Sequence, residues 1–337
     1  MKISASVYSD KKRPLAEVIR DLADHHVDLL HVDCNDDPSV FEDIRLIRTL
    51  CDIPVDLHII TEDPAKYMDL LIETPVEYVT FQYEDLKAPL KFPEAVKGKK
   101  GLAIITPTSI DAFDEYQDFD FILIMATIPG QSGGVFDTWN FSKIRAFKKK
   151  YPAKSIHVDG GVNAEVSFIL RNMGVSSSVS GSYLFSAASI GHALMNLTTR
   201  EVESHFLIRD FMIPLEEAPV ITETALSLKN ILQAIEAGQL GFCLVTGGEE
   251  TQHEFRGLIS NADVRKGLLR NLDDLDATDP ATLVNRTPVT VLESGTVNEM
   301  LRLIKRCPFP VMYLPVLNNQ GNTTGIVTFV NLIKGEL

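Results

Sequence analysis

Eight short apolar runs punctuate the first part of the chain: KISASVY, VDLLHVD, PVDLHII, YVTFQY, GLAIIT, DFILIMA, SIHVDGG and SSSVSGS. Between most of them lie stretches with helical spacing of apolar residues, such as LAEVIRDLADH, VFEDIRLIRTL and FSKIRAFKKKY. Eight strand signals alternating with helices over about 200 residues predict an α/β fold of the (β/α)8 TIM barrel type. A doubly wound open sheet is the main competitor. The even spacing of eight units favours the barrel.

The chain has 337 residues, long for one domain and comfortable for two. Its formal net charge of −14 argues against nucleic acid or an anionic membrane as the main partner. A local phosphate site remains compatible with that charge, because backbone N–H groups bind anions without side-chain cations. Cys34, Cys51, Cys243 and Cys307 form no C-x-x-C pair, so a reducing cytosol is the simplest context. The N-terminal stretch MKISASVYSDKKRP lacks an apolar signal segment, and no run approaches membrane-spanning length. A cytoplasmic location is expected.

The grammar changes from about residue 205. Pro219-Val220 recurs as Pro288-Val289, and Gly257 recurs as Gly325, each about 70 residues later, so one supersecondary unit is used twice. The expected organisation is a barrel over 1–200 and a smaller α+β module over 207–337, with halves at about 207–272 and 278–337. The pattern Gly-apolar-apolar-Ser/Thr-x-x-Asp/Asn occurs at Gly257–Asp263 and Gly325–Asn331. It resembles a tandem CBS pair, a family that binds adenine nucleotides between its halves. The resemblance implies nucleotide contacts at Ser260 and Asp263, and in the second copy at Thr328 and Asn331. Dimerisation alone is the other reading of such a pair.

Loops at the C-terminal ends of parallel barrel strands build active sites. The second run ends in His31 and Asp33, and the third in Asp56 and His58. Residues two apart on a strand share a face. The seventh run ends in Asp159-Gly160-Gly161. Two histidines and two or three carboxylates are therefore expected at one mouth, a donor set suited to Zn²⁺, Mn²⁺ or Fe²⁺. Glycines cluster after the sixth, seventh and eighth runs, in IPGQSGG, DGG and SGS, as expected of a backbone cradle for phosphate.

KISASVYSD, HVD, PVDLHII, ILIMATIPGQSGGVF, SIHVDGGV and VSGSYLF, in this order, resemble the ribulose-phosphate 3-epimerase family over nearly all of residues 2 to 190. The resemblance implies one divalent metal held by His31, Asp33, His58 and Asp159. It implies a phosphorylated ketose epimerised at C3, with Asp33 and Asp159 as acid and base. Substrate contacts are implied at Ser6, His58 and Met125, and phosphate contacts at Gly133, Gly134, Gly160, Gly161, Gly181 and Ser182. A homo-oligomer is expected through barrel or CBS contacts.

The chain departs from the family pattern in places. Cys34-Asn35-Asp36-Asp37-Pro38 replaces a methionine-containing turn, Ile59-Ile60 replaces a second methionine position, and Gln82 stands where a histidine is usual, with Glu84 retained. These changes leave the ligand set intact and alter the substrate wall. A pentulose 5-phosphate is the first expectation, and a hexulose 6-phosphate such as allulose 6-phosphate the second. A non-catalytic sugar-phosphate or nucleotide sensor is the reading from another class.

Overall fold

The computed structural model describes residues 1–127, 133–198, 206–248 and 253–329. The chain divides into two compact units at residues 202/203. Among the described residues no helix is long and apolar enough to cross a membrane, and all four cysteines are free.

The first unit is a closed parallel barrel of eight strands in sequential order: β1 Lys2–Ser6, β2 Leu29–Asn35, β3 Val55–Ile60, β4 Tyr78–Gln82, β5 Lys99–Ile105, β6 Phe121–Met125, β7 Ser155–Asp159 and β8 Ser177–Ser180. β8 pairs with β1 in parallel and closes the ring. The open-sheet alternative is thereby excluded. The helices are α1 Leu15–Asp24, α2 Val40–Leu50, α3 Met68–Glu73, α4 Trp139–Lys150, α5 Ala164–Asn172, α6 Ser182–Ser186 and α7 Ile190–Thr198. Each long helix buries one stripe: Val18, Ile19 and Leu22 on α1, and Phe41, Ile44 and Ile47 on α2. Asn163 caps α5 by accepting the Val166 N–H at 3.0 Å, which starts the helix directly behind the Asp159-Gly160-Gly161 turn.

Two connections lack an α-helix. β4 joins β5 through a segment carrying Pro89, Pro93 and Gly98, residues that oppose a continuous helix. β5 joins β6 through a 3₁₀ segment, Ile110–Tyr116, whose Phe113 and Tyr116 are buried. At the base of the barrel the His157 ring stacks on Phe121 at a 4.2 Å centroid distance, with Tyr78 5.4 Å away.

The second unit repeats one pattern. α8 Ile208–Phe211 and β9 Ile213–Pro214 lead into β10 Val220–Thr222, α9 Leu228–Gly238, β11 Phe242–Thr246, β12 Phe255–Ser260 and α10 Asn261–Arg270. β13 Val291–Leu292, α11 Val297–Arg306, β14 Tyr313–Leu317 and β15 Thr323–Thr328 follow. In each half a parallel pair crosses over through a helix, and an antiparallel strand is added. Each half also donates a leading segment to the other. β9 pairs with β15 of the second sheet, and Asn285 bridges Leu258 of the first. The repeated glycines permit this. A side chain on Gly325 would meet the Ile213 carbonyl at 2.3 Å, and one on Gly257 the Asn285 carbonyl at 2.6 Å. Ile326 packs with Phe242, Leu244 and Leu258, so the two halves share a core.

Candidate active site

The two-residue period of a strand places His31 with Asp33 on β2 and Asp56 with His58 on β3, facing the barrel interior. The register sets Asp33 beside His58. One ligand atom each from His31, Asp33, His58 and Asp159 lies within 4.8 Å of every other. His31 Nε2 is 3.2 Å from Asp33 Oδ1 and 3.7 Å from Asp159 Oδ2, and His58 Nδ1 is 3.5 Å from Asp33 Oδ1. Both imidazoles are wholly buried, whereas the Asp33 and Asp159 side chains are 21% and 18% exposed. The carboxylates therefore present the reactive face of the group, and the histidines form its floor.

Asp56 does not join them. It is buried two residues earlier on β3, where it accepts hydrogen bonds from His31 Nδ1 at 3.0 Å and Ser4 Oγ at 2.9 Å. Its position fixes the His31 ring with Nδ1 protonated and Nε2 turned toward Asp33 and Asp159.

Burial and charge set the ionisation of the group. Burial disfavours the charged His31, yet Asp33 and Asp56 outweigh it and raise its pKa well above the ordinary value. Burial would likewise raise Asp33, but the His31 charge and hydrogen bond, with the neighbouring His58 adding, hold it well below the usual carboxylate range. Asp159 goes the other way: burial lifts it to about 6, with the Asp33 charge adding to the lift and His31 opposing it. The two carboxyl groups thus differ in proton affinity, Asp159 holding its proton more tightly than Asp33.

The residues fit a divalent ion. His58 Nδ1 is buried without a hydrogen-bond partner, a costly state for an imidazole nitrogen unless something coordinates it. Two nitrogens and two carboxylates converge with it, a set that suits Zn²⁺, Mn²⁺ or Fe²⁺.

Above this group opens a cavity of about 430 Å³, a size that accepts a small ligand. Of the substrate residues expected from the sequence, Ser6, Met125, Gly133, Gly134, Gly160, Gly161, Gly181 and Ser182 line it, together with Asp33 and Asp159. His58 lies beneath. Residues 128–132 of the sixth-strand loop lie outside the described residues. The backbone at Gly160 approaches the Thr127 side chain so closely that a Cβ would stand 2.2 Å from its Oγ1. The lining also includes Asn35, expected in the substrate wall, and Tyr8, Lys11, Thr127, Asn163 and Tyr183, which no sequence motif marked as cavity residues. Lys11 and Tyr183 sit outside the strands, so no alternation pattern points to them.

Of Asn35–Pro38 only Asn35, the last residue of β2, lines the cavity. Asp36, in the left-handed region at φ 56°, accepts from Lys66 at 2.5 Å and from Thr61 and Tyr67. Asp37 accepts the Ser39 N–H at 3.0 Å and turns the chain into α2. These acids hold the loop shape.

In the second unit Ser260 caps α10, and Asp263 Oδ2 accepts both the Ser260 N–H and its hydroxyl. Thr328 ends β15 and is buried. Asn331 lies outside the described residues.

The ribulose-phosphate 3 epimerase family model matches residues 2–185, and the CBS domain model matches residues 281–336. The ribulose-phosphate 3-epimerase of Methanocaldococcus jannaschii is 30% identical over 227 residues, which cover 63% of this chain and 95% of that protein. That of Bacillus subtilis is 24% identical over 200 residues, 55% of this chain and 92% of that protein. Among solved structures, a CBS domain-containing protein from Bacillus anthracis matches 39% of this chain and 92% of its own, at 17% identity and a TM-score of 0.33. An eight-stranded barrel with this sequence match, followed by a CBS domain, places the chain in the ribulose-phosphate 3-epimerase family.

Proposed function

We propose that the barrel is a metal-dependent ketose-phosphate 3-epimerase, with ribulose 5-phosphate and xylulose 5-phosphate as the first substrate pair. The observation that carries this reading is the pairing of Asp33 and Asp159, which line one cavity from β2 and β7 above two buried imidazoles. The relatives' names support the substrate class.

Epimerisation beside a ketone breaks the C3–H bond and leaves an enediolate. One carboxylate takes that proton from one face of the substrate, and the other carboxyl returns a proton to the opposite face. His31, Asp33, His58 and Asp159 would hold a divalent ion, which supplies Lewis-acid stabilisation of the negative charge on the substrate oxygens. The backbone at Gly133-Gly134, Gly160-Gly161 and Gly181-Ser182 cradles the phosphate. Met125 and Ser6 line the same cavity, and Ser9 donates to Ser6 Oγ at 3.0 Å.

Asn35 favours a second substrate reading. An amide in the cavity wall offers hydrogen bonds to an additional hydroxyl, as a hexulose 6-phosphate such as allulose 6-phosphate carries. Exchange of the C3 proton in D₂O, with each sugar and a metal-loaded enzyme, tests both. Exchange with neither overturns the epimerase reading in favour of a sensor. For the CBS module the proposal is adenine-nucleotide binding near Ser260 and Asp263 that regulates the barrel. A rise in melting temperature with AMP, ADP or ATP supports it, and no shift with any of them leaves a dimerisation module. Light scattering tests the homo-oligomer.

A further inference from the structure

Gln82, the last residue of β4, is fully enclosed beside His58. Its Oε1 lies 2.9 Å from His58 Nε2, and its amide nitrogen donates to Glu84 Oε2. Glu84 is itself anchored. Its other oxygen accepts the Ile105 N–H at 3.1 Å and the Thr108 hydroxyl. The loop carrying Thr108 is pinned in turn, because Lys143 Nζ donates to the Ile105, Thr106 and Thr108 carbonyls at 2.7, 2.6 and 2.6 Å.

This chain of bonds has a direction. A carboxylate only accepts, so the Gln82 atom facing Glu84 must be its NH₂ group. The atom facing His58 is then the Gln82 carbonyl, which also only accepts. His58 Nε2 must therefore carry the proton, and Nδ1 must carry the lone pair. Nδ1 is the nitrogen found buried without a hydrogen-bond partner, 3.5 Å from Asp33. Were Gln82 free to turn over, its NH₂ would face His58 and favour the opposite tautomer, with a proton where the ligand lone pair is needed.

We propose that Gln82 is a positioning residue: held in one orientation by Glu84, it fixes His58 in the Nε2–H tautomer and commits Nδ1 to the metal. The metal consequence rests on the function proposed above, whereas the tautomer does not. Two histidines of one site are thereby set by different means. His31 is oriented from below by a buried carboxylate, and His58 from the side by an amide that relays a carboxylate. The relay gives His58 a neutral acceptor, so a second full charge is kept out of the floor of the site.

The test uses the full chain. Nitrogen-15 NMR of the metal-free protein reads the His58 tautomer, and chelator competition with Zn²⁺ or Mn²⁺ reads affinity. Wild type is expected to show Nε2–H. Gln82→Leu removes the acceptor, and a mixture of tautomers with metal affinity lower by about 10–100-fold is expected. The double variant Gln82→Glu with Glu84→Gln reverses acid and amide while keeping an acceptor toward His58, and is expected to restore both readings. An unchanged tautomer and unchanged affinity in Gln82→Leu would overturn the proposal. If Gln82→Leu does not fold, a double variant that folds yet loses the Nε2–H tautomer overturns it instead. A wild type that takes up no metal removes the metal reading, while the nitrogen spectrum still decides the role of Gln82.

Discussion

Asp56 accepts a 3.0 Å hydrogen bond from His31 Nδ1, two residues down its strand from His58 and out of reach of the cavity. The same aspartate accepts from Ser4 Oγ. It therefore bears on the proposed metal site by holding His31, and its charge also reaches Asp159. Asp56→Ala is expected to weaken metal binding by about 10–100-fold, the range for loss of an orienting partner behind a ligand histidine. Asp56→Asn, which retains an acceptor oxygen, should lose less. Chelator competition on the folded variants checks both.

Asp159→Asn keeps the shape of the side chain and removes its capacity to carry a proton. The C3-proton exchange rate should fall by about 10²–10⁴-fold, the usual contribution of a general acid or base. Circular dichroism should remain that of wild type. A fully active Asp159→Asn protein would remove Asp159 from the mechanism.

His157 gives a pH signature in stability. Burial pushes its pKa down from 6.5 to about 4 in the folded protein, with Lys2 and Lys99 adding and Asp56 opposing. The unfolded chain takes up that proton below about pH 6.5, and the folded protein only below about 4. The stabilising contribution is thus complete above pH 6.5 and is lost as pH falls toward 4. It amounts to roughly 3 kcal/mol by linkage. His157→Phe preserves the stack on Phe121 and should remove this component, so the difference in urea-unfolding free energy between the two proteins should change across pH 6.5 to 4.

Lys143 holds three backbone carbonyls after β5, and burial lowers its pKa to about 8. Lys143→Met keeps the length of the side chain and leaves those carbonyls without their donor. A loss of about 2–3 kcal/mol is expected from breaking charged hydrogen bonds at a half-buried position. Denaturant unfolding measures it, and a variant as stable as wild type would deny the clamp.

The barrel was legible because most of its parallel strands, covered on both sides, read as apolar runs, although β8 holds only Val179 among serines. The two connections without α-helices were less so: Phe113 and Tyr116 bury aromatic area from a 3₁₀ turn that has no helical period. His31, Asp33, His58 and Asp159 were visible as strand-end residues. Asp56 was visible too, but its depth was not. His-x-Asp on β2 and Asp-x-His on β3 have the same spacing, while the registers of the two strands place one aspartate at the cavity and the other below it. Gln82 was noticed as a departure. Its direction of hydrogen bonding emerges only when Glu84 and Ile105 are seen together, across two strands. Likewise, of the polar stretch Asn35–Pro38, only Asn35 reaches the cavity, because Lys66, Thr61 and Tyr67 draw Asp36 away.

The strand exchange in the second unit reverses covalent order and mechanical order. β9 is the strand closest to the barrel along the chain, yet it is hydrogen-bonded to β15, the last strand described. A pull entering through the segment before Ile213 is borne by the C-terminal sheet before it reaches β10. Cutting the chain between the halves would strip each sheet of the segment that closes its edge, and with it one side of the core at Ile326. The module is therefore one unit rather than two beads, since the strand that leads it is bonded to the sheet of its second half.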